Sequence, residues 1–256
     1  MNENETNFRI IPRLDIKDKN LIKSINFEGL RKVGPINRYP INYYNQGADE
    51  LIFMDPVSSL FSKKIIYEIL HECSKNIFIP ITIGGGIKNL KDAKKILAFG
   101  GDKVALNTAA VLKPKLIKEL SDNIGSQSVV SYIEAKKVKD SHWEVYINNG
   151  KDKTGIDVMR WVEKLNKLGA GELLISSVDM EGTKKGFDKE LYNKISEATD
   201  LPIIVNGGFG RLEDLTFFRS NKKLDSLALS STIHYDLFTI KDIKNFSRKI
   251  GLNVRK

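Results

Sequence analysis

The sequence predicts an α/β fold, a single (β/α)8 barrel of the TIM type with an internal half-barrel duplication. Short apolar, β-branched runs alternate with helical patterns eight times along the chain. The block at 79–111, IPITIGGGIKNLKDAKKILAFGGDKVALNTAAV, is written again from 201 as LPIIVNGGFGRLEDLTFFRSNKKLDSLALSSTI. The correspondence continues outside this block at an offset close to half of the 256-residue chain. Such a period is too long for a solenoid repeat. Buried strands with crossover helices favour a closed parallel barrel over an open doubly wound sheet.

In order, the first half spans about 8–125, after a polar N-terminal tail at 1–7. Its strands are predicted at 9–15, 50–55, 79–84 and 103–107, and its helices at 35–46, 63–74, 90–99 and 114–123. Alternation along the first strand sends Arg9, Ile11, Arg13 and Asp15 to one side. The second half spans about 126–256, so residues 1–256 form one domain. Its strands fall at 128–134, 172–177, 202–206 and 226–229, and its helices at 157–168, 188–198, 212–219 and 239–249. Gly47, Gly100 and Gly169 stand where helix C-caps belong. The stretches 17–33 and 137–154 read as irregular, with WEVYINNG in the second as a short hairpin. The repeat pairs Asp15 with Glu134, Glu50 with Glu172, Asp55 with Asp179, Gly85 with Gly207, Gly86 with Gly208, and Thr108 with Ser231.

Composition narrows the function. The net charge is +9, but the lysines are scattered over helical faces and no basic stripe with interleaved aromatics appears. That argues against nucleic acid and leaves a general preference for anionic ligands. Cys73 is the one cysteine, so no disulfide forms, which fits a reducing cytosol. His71, His142 and His234 lack metal-ligand spacing, and neither a metal nor a cofactor is expected. The start MNENETN is unlike a signal peptide, and no apolar run reaches membrane-spanning length. A soluble, cytoplasmic protein with no membrane contact is the expectation.

In a barrel, chemistry gathers at the carboxyl ends of the strands. After the third strand come Gly85 and Gly86, and after the fourth Asn107 and Thr108. Backbone amides of a glycine turn, short polar side chains and a helix start suit a phosphate. The arrangement returns as Gly207, Gly208, Ser230 and Ser231 on the opposite side, implying a small substrate with a phosphate at each end. Asp15 and Glu134 end the first and fifth strands between the two cradles, where paired carboxylates suit general acid–base chemistry. Asp55, Asp179 and Glu181 are secondary acids. At the opposite strand ends Arg9, Glu50, Lys103 and Glu172 have charges that sum to zero, as an ion-pair ring closing the barrel would.

The motifs RIIPRLDIKD, NFEGLR, GADELIFMD, TIGGGI, DKVALNTAAV, GSQSVV, TGIDVMRWV, LGAGELLISSVDMEGTKKGFD and GLNVR cover almost the whole chain. Through them it resembles the cyclase subunit family of imidazole glycerol phosphate synthase, duplicated half-barrel enzymes of histidine biosynthesis. The resemblance implies a heterodimer with a glutaminase subunit that makes ammonia. Ammonia would enter by a charged gate whose positions match Arg9, Glu50, Lys103 and Glu172. It would react with phosphoribulosyl-formimino aminoimidazole carboxamide ribonucleotide, a bis-phosphorylated substrate, to give imidazole glycerol phosphate and aminoimidazole carboxamide ribonucleotide. The family's catalytic aspartates fall on Asp15 and Glu134, and its early phosphate-contacting lysine on Lys23. Gly182 and Thr183, in the matching segment DMEGTKK, are further substrate-binding candidates.

Four positions depart from the family pattern. Glu134 and Glu181 stand where it has Asp, and Arg13 and Tyr132 replace small residues. A guanidinium and a phenol inside the barrel narrow the ammonia route, and Arg13 is positioned to pair with Asp15. These swaps resemble cyclase-like paralogues that serve amidation of surface-polysaccharide or flagellar sugars with a glutaminase and an amidotransferase. A third reading is a non-catalytic scaffold that activates a glutaminase.

Overall fold

The computed structural model describes residues 7–57, 60–73 and 75–255. Of the tail expected at 1–7, all but Asn7 lie outside the described residues. The strands, in chain order, are β1 (Arg9–Lys17), β2 (Asn20–Ile25), β3 (Glu28–Pro35), β4 (Leu51–Met54), β5 (Ile81–Gly84) and β6 (Lys103–Leu106). They continue as β7 (Val129–Lys139), β8 (His142–Ile147), β9 (Asp152–Asp157), β10 (Glu172–Ser177), β11 (Ile203–Asn206) and β12 (Ser226–Leu229). Eight of them run parallel in the order β1, β4, β5, β6, β7, β10, β11, β12, with β12 returning to β1. This is a closed (β/α)8 barrel, and β1 and β7 stand four places apart on opposite walls.

Each barrel strand alternates between two apolar environments, because successive side chains leave opposite faces. Ile10, Leu51, Phe53, Ile81, Val129 and Leu173 face outward into the large core under the helices. Ile11, Ile52, Ala105, Val130, Leu174 and Ile204 face inward and form a separate cluster within the barrel. The helices begin where the capping chemistry predicts. Asn89, Asp157 and Asp188 accept the N–H of Asp92, Arg160 and Leu191 at 2.9, 3.0 and 3.2 Å. Thr239 and Asp242 make a reciprocal capping box at the start of Ile240–Lys249. Two short helices, Thr108–Leu112 and Ser231–His234, follow β6 and β12.

The stretches 17–33 and 137–154 are regular, which corrects the expectation of loops. β2 and β3 extend β1 as an antiparallel meander, and β8 and β9 extend β7 in the same way. The expected hairpin lies inside the second meander, with Asn148, Asn149 and Gly150 as its left-handed turn. The first meander turns at Asn26 and Phe27, both with positive φ, and carries no Asn-Gly or Asp-Gly signature. The two turns meet above the barrel, where Asn149 Nδ2 donates to the Phe27 carbonyl at 3.4 Å.

Candidate functional site

The amino ends of the strands carry a closed ion-pair ring. Arg9 donates to Glu50 and Glu172 at 2.6 Å each, and Lys103 donates to the same two carboxylates at 3.0 and 2.8 Å. Asp225 adds a further contact to Arg9 at 3.6 Å. Burial works against the Arg9 and Lys103 charges, but Glu172 and Glu50 outweigh it and raise both cations' pKa.

Above the inner apolar cluster stands Arg13, whose side chain is only 1% exposed. Its Nε donates to Asp15 Oδ1 at 2.9 Å. One Nη donates across the barrel to the Tyr132 hydroxyl at 3.1 Å and to Ser176 Oγ at 3.0 Å. The guanidinium lies 5.1 Å from the Tyr132 ring centre and 5.7 Å from that of Phe27. A pairing of Arg13 with Asp15 follows from their i, i+2 spacing on one face of β1; the reach to β7 and β10 does not. Nε2 of the buried His234 contacts the Arg13 carbonyl at 3.0 Å, and Nδ1 contacts the Tyr43 hydroxyl at 2.6 Å. Burial and nearby Lys23 push the His234 pKa down to about 3, so the imidazole is neutral at pH 7.

Asp15 and Glu134 both end in the mouth of the barrel and are nearly fully buried. Asp15 is held by Arg13 and, at 3.9 Å, by Lys23. Glu134 accepts the N–H of Gly150 at 2.7 Å. Burial pushes its carboxyl up to about 7 against the opposing effects of Gly150 and Arg13, and the Asp15 charge adds to the rise. Lys23 pairs directly with Glu181, and Glu181 also accepts from Asn206 at 2.8 Å. Burial works against the Glu181 charge, but Lys23 and Arg13 hold its carboxyl below the usual range. Asn206 in turn donates to Ser176 at 2.7 Å, which joins this group to Arg13.

The two glycine-turn cradles are unequal. Gly85, Gly86, Asn107 and Thr108 line a cavity of about 490 Å³ whose wall includes Glu134, Arg13 and Tyr132. That is the size of a pocket for a small organic ligand. Lys88 and Lys113 line it as well, and neither was singled out from the sequence. Gly182, Gly207, Gly208, Ser230 and Ser231 line a second cavity of about 20 Å³, with Glu181 among them. It has room for about one water.

Several candidates take other partners. The Asn107 amide donates to the carbonyls of Tyr132 and Tyr146 at 3.2 and 3.0 Å, tying the start of Thr108–Leu112 to the second meander. Thr108 Oγ1 accepts the Asn148 N–H at 3.1 Å. Thr183 Oγ1 donates to the Met180 carbonyl at 2.8 Å. Asp55 is buried and lines the larger cavity. Asp179 is exposed and accepts the Lys137 N–H at 2.8 Å. Strand register makes Ser177, not Asp179, the counterpart of Asp55: Met54 faces Gly84 as Ser176 faces Asn206. Ser176, Asn206, Phe27 and the 148–150 turn also escaped sequence reasoning; the Asn-Asn-Gly run was the one available signal, as a turn.

Cys73 is buried, and burial pushes its thiol up to about 12. Among the described residues no cluster of three or more His, Cys, Asp or Glu side chains could hold a metal ion. No described helix is long and apolar enough to cross a membrane.

Comparison with known proteins gives a consistent result. A family model described as histidine biosynthesis protein matches residues 9–239. A Legionella pneumophila protein named imidazole glycerol phosphate synthase subunit HisF is 50% identical over 209 residues, covering 82% of this chain and 99% of that protein. Proteins of the same name are similar over more of the chain. One from Clostridium botulinum (strain Alaska E43 / Type E3) is 45% identical over 249 residues, 96% of this chain and 98% of the other. One from Bacillus cereus (strain ATCC 10987 / NRS 248) is 39% identical over 247 residues, again 96% and 98%.

Proposed function

The chain belongs to the histidine biosynthesis family, with HisF subunits of imidazole glycerol phosphate synthase among its relatives, and on that premise we propose that it is the ammonia-using cyclase subunit of that synthase. It takes ammonia made by a glutaminase partner and converts phosphoribulosyl-formimino aminoimidazole carboxamide ribonucleotide to imidazole glycerol phosphate and aminoimidazole carboxamide ribonucleotide, as a lyase. What supports this reading is the pair of buried acids, Asp15 and Glu134, on strands of opposite barrel walls, with Glu134 lining the larger of the two glycine-turn cavities.

Asp15 and Glu134 exchange protons as ammonia adds and one water is lost, the amine product leaves and the imidazole closes. Glu134, whose carboxyl sits at about 7, is able to give and take a proton near neutral pH. Gly85, Gly86 and Thr108 hold one phosphate. Gly207, Gly208, Ser230 and Ser231 hold the other, with Gly182, Thr183 and Lys23 beside it; binding there requires Glu181 to withdraw from the small cavity. Arg9, Glu50, Lys103 and Glu172 form the ammonia gate at the opposite end. Incubating the purified chain with the ribonucleotide and an ammonium salt is expected to yield imidazole glycerol phosphate. Absence of product at every ammonia concentration would reject the assignment.

Arg13 favours a second reading, a paralogue that supplies ammonia for sugar amidation, because its side chain crosses the barrel from β1 to Tyr132. Growth without histidine of a cyclase-deficient strain carrying this chain would eliminate that reading.

A further inference from the structure

We infer that Arg13 is a positioning residue that bars the barrel bore, so that a small molecule moves between the charged ring and the mouth only when its guanidinium leaves Tyr132 and Ser176. The topology makes it a bar. β1 and β7 occupy opposite walls of the eight-stranded ring, and Arg13 from β1 donates to a hydroxyl on β7 and to another on β10. A side chain confined to its own wall could not make both bonds. The bar also forms part of the lining of the 490 Å³ cavity, with Tyr132 beside it. Below lies the apolar cluster containing Ile11, Val130 and Leu174, and below that the ion-pair ring.

The same side chain orients an acid. Arg13 Nε holds Asp15 at 2.9 Å, so the group that closes the bore also fixes the carboxylate in the mouth. Its root is clamped: His234 contacts the Arg13 carbonyl and is itself held by Tyr43. Movement of Arg13 is therefore a side-chain rotation rather than a shift of β1. Lys23, 3.9 Å from Asp15, stays as a second cation when the guanidinium swings away. Passage through the bore and the orientation of Asp15 are thus coupled in one residue.

The transport half of this inference rests on the proposed ammonia-dependent reaction. The test compares glutamine-driven and ammonium-driven turnover of the complex with its glutaminase for wild type, Arg13→Ala and Tyr132→Phe. Both nitrogen sources share the chemistry in the mouth, so their ratio isolates the bore. Arg13→Ala is expected to raise the glutamine-to-ammonium ratio at least threefold and to lower ammonium-driven kcat at least tenfold with little change in KM. Tyr132→Phe, which removes the hydroxyl that Arg13 reaches across the bore, is expected to raise the ratio as well; it also serves if Arg13→Ala does not fold. An unchanged ratio in both variants overturns the inference. A substrate-free measurement separates it from the functional reading: the Arg13 Nε–H signal in nitrogen NMR of the whole chain is expected to be protected from solvent exchange and to lose protection in Asp15→Asn. Fast exchange in wild type overturns the inference. Protection, with no product from either nitrogen source, supports the bar and rejects the proposed reaction.

Discussion

Glu134 is a buried acid on which stability and the proposed activity make opposite demands. Burial lifts its carboxyl to about 7, while an unfolded chain would hold it near the ordinary glutamate value of about 4.3. The native state therefore binds this proton more tightly than the unfolded state. Its contribution to stability is complete below about pH 4.3 and is lost as pH rises to 7, in total roughly 4 kcal/mol. Glu134→Gln is expected to remove that pH dependence, so denaturation midpoints of wild type and variant diverge between pH 5 and pH 8 with the variant more stable at pH 8. Identical pH profiles would mean that the carboxyl is not held up in the folded chain. The same substitution is expected to lower kcat by about 10²–10⁴-fold, since proton transfer by a placed side chain is worth that much. Stability gained alongside activity lost is the signature of a functional buried acid.

At the scale of elements the turns decide the geometry. Gly150 combines a φ of 72° with a close neighbour, since a Cβ there would stand 2.9 Å from the Phe27 ring. It also supplies the N–H that holds Glu134. Gly155 has nearly the same φ, 73°, with nothing within 4 Å of a Cβ. Gly155→Ala is expected to destabilise by the backbone penalty alone, about 1–2 kcal/mol. Gly150→Ala is expected to lose more and to part the two meander tips; equal losses in thermal unfolding would show that the tips do not press on each other. Gly85 has a φ of 101°, and a Cβ there would collide with the Asp55 backbone. Gly85→Val is expected to raise the KM for the ribonucleotide at least tenfold, and unchanged kinetics would remove this turn from the phosphate site.

On the scale of the whole molecule the barrel carries an ion-pair ring at one end and the buried acids Asp15 and Glu134 at the other. The Arg9, Glu50, Lys103 and Glu172 ring is partly open to solvent, with Arg9 and Lys103 side chains 21% and 18% exposed. Its two carboxylates are buried, so loss of one cation leaves each of them with Arg9 alone. Lys103→Ala is therefore expected to lower the melting temperature and to impair glutamine-driven turnover more than ammonium-driven turnover. Equal losses with both nitrogen sources would return the ring to a purely structural role. We propose that the chain arose from two half-barrels, 8–125 and 126–256, a reading supported by the matching meanders that follow β1 and β7.

Alternation of apolar residues, cap residues and glycine turns are local chemistry, and by themselves they determined the eight barrel strands, their helices and the candidate residues of the mouth. The first meander went unread because β3 is exposed along most of its length and the chain enters it through Asn26 and Phe27, a pair with no turn signature. Asp15 and Glu134 were readable as strand-end acids. That Arg13 reaches Tyr132 and Ser176 while Glu134 sits buried against Gly150 was decided by the tertiary structure. The inequality of the two cradles, about 490 against 20 Å³, was decided there too. The reason is physical: hydrogen bonds across a barrel join residues 119 or 163 positions apart, and only closure of the strand ring brings such partners within reach.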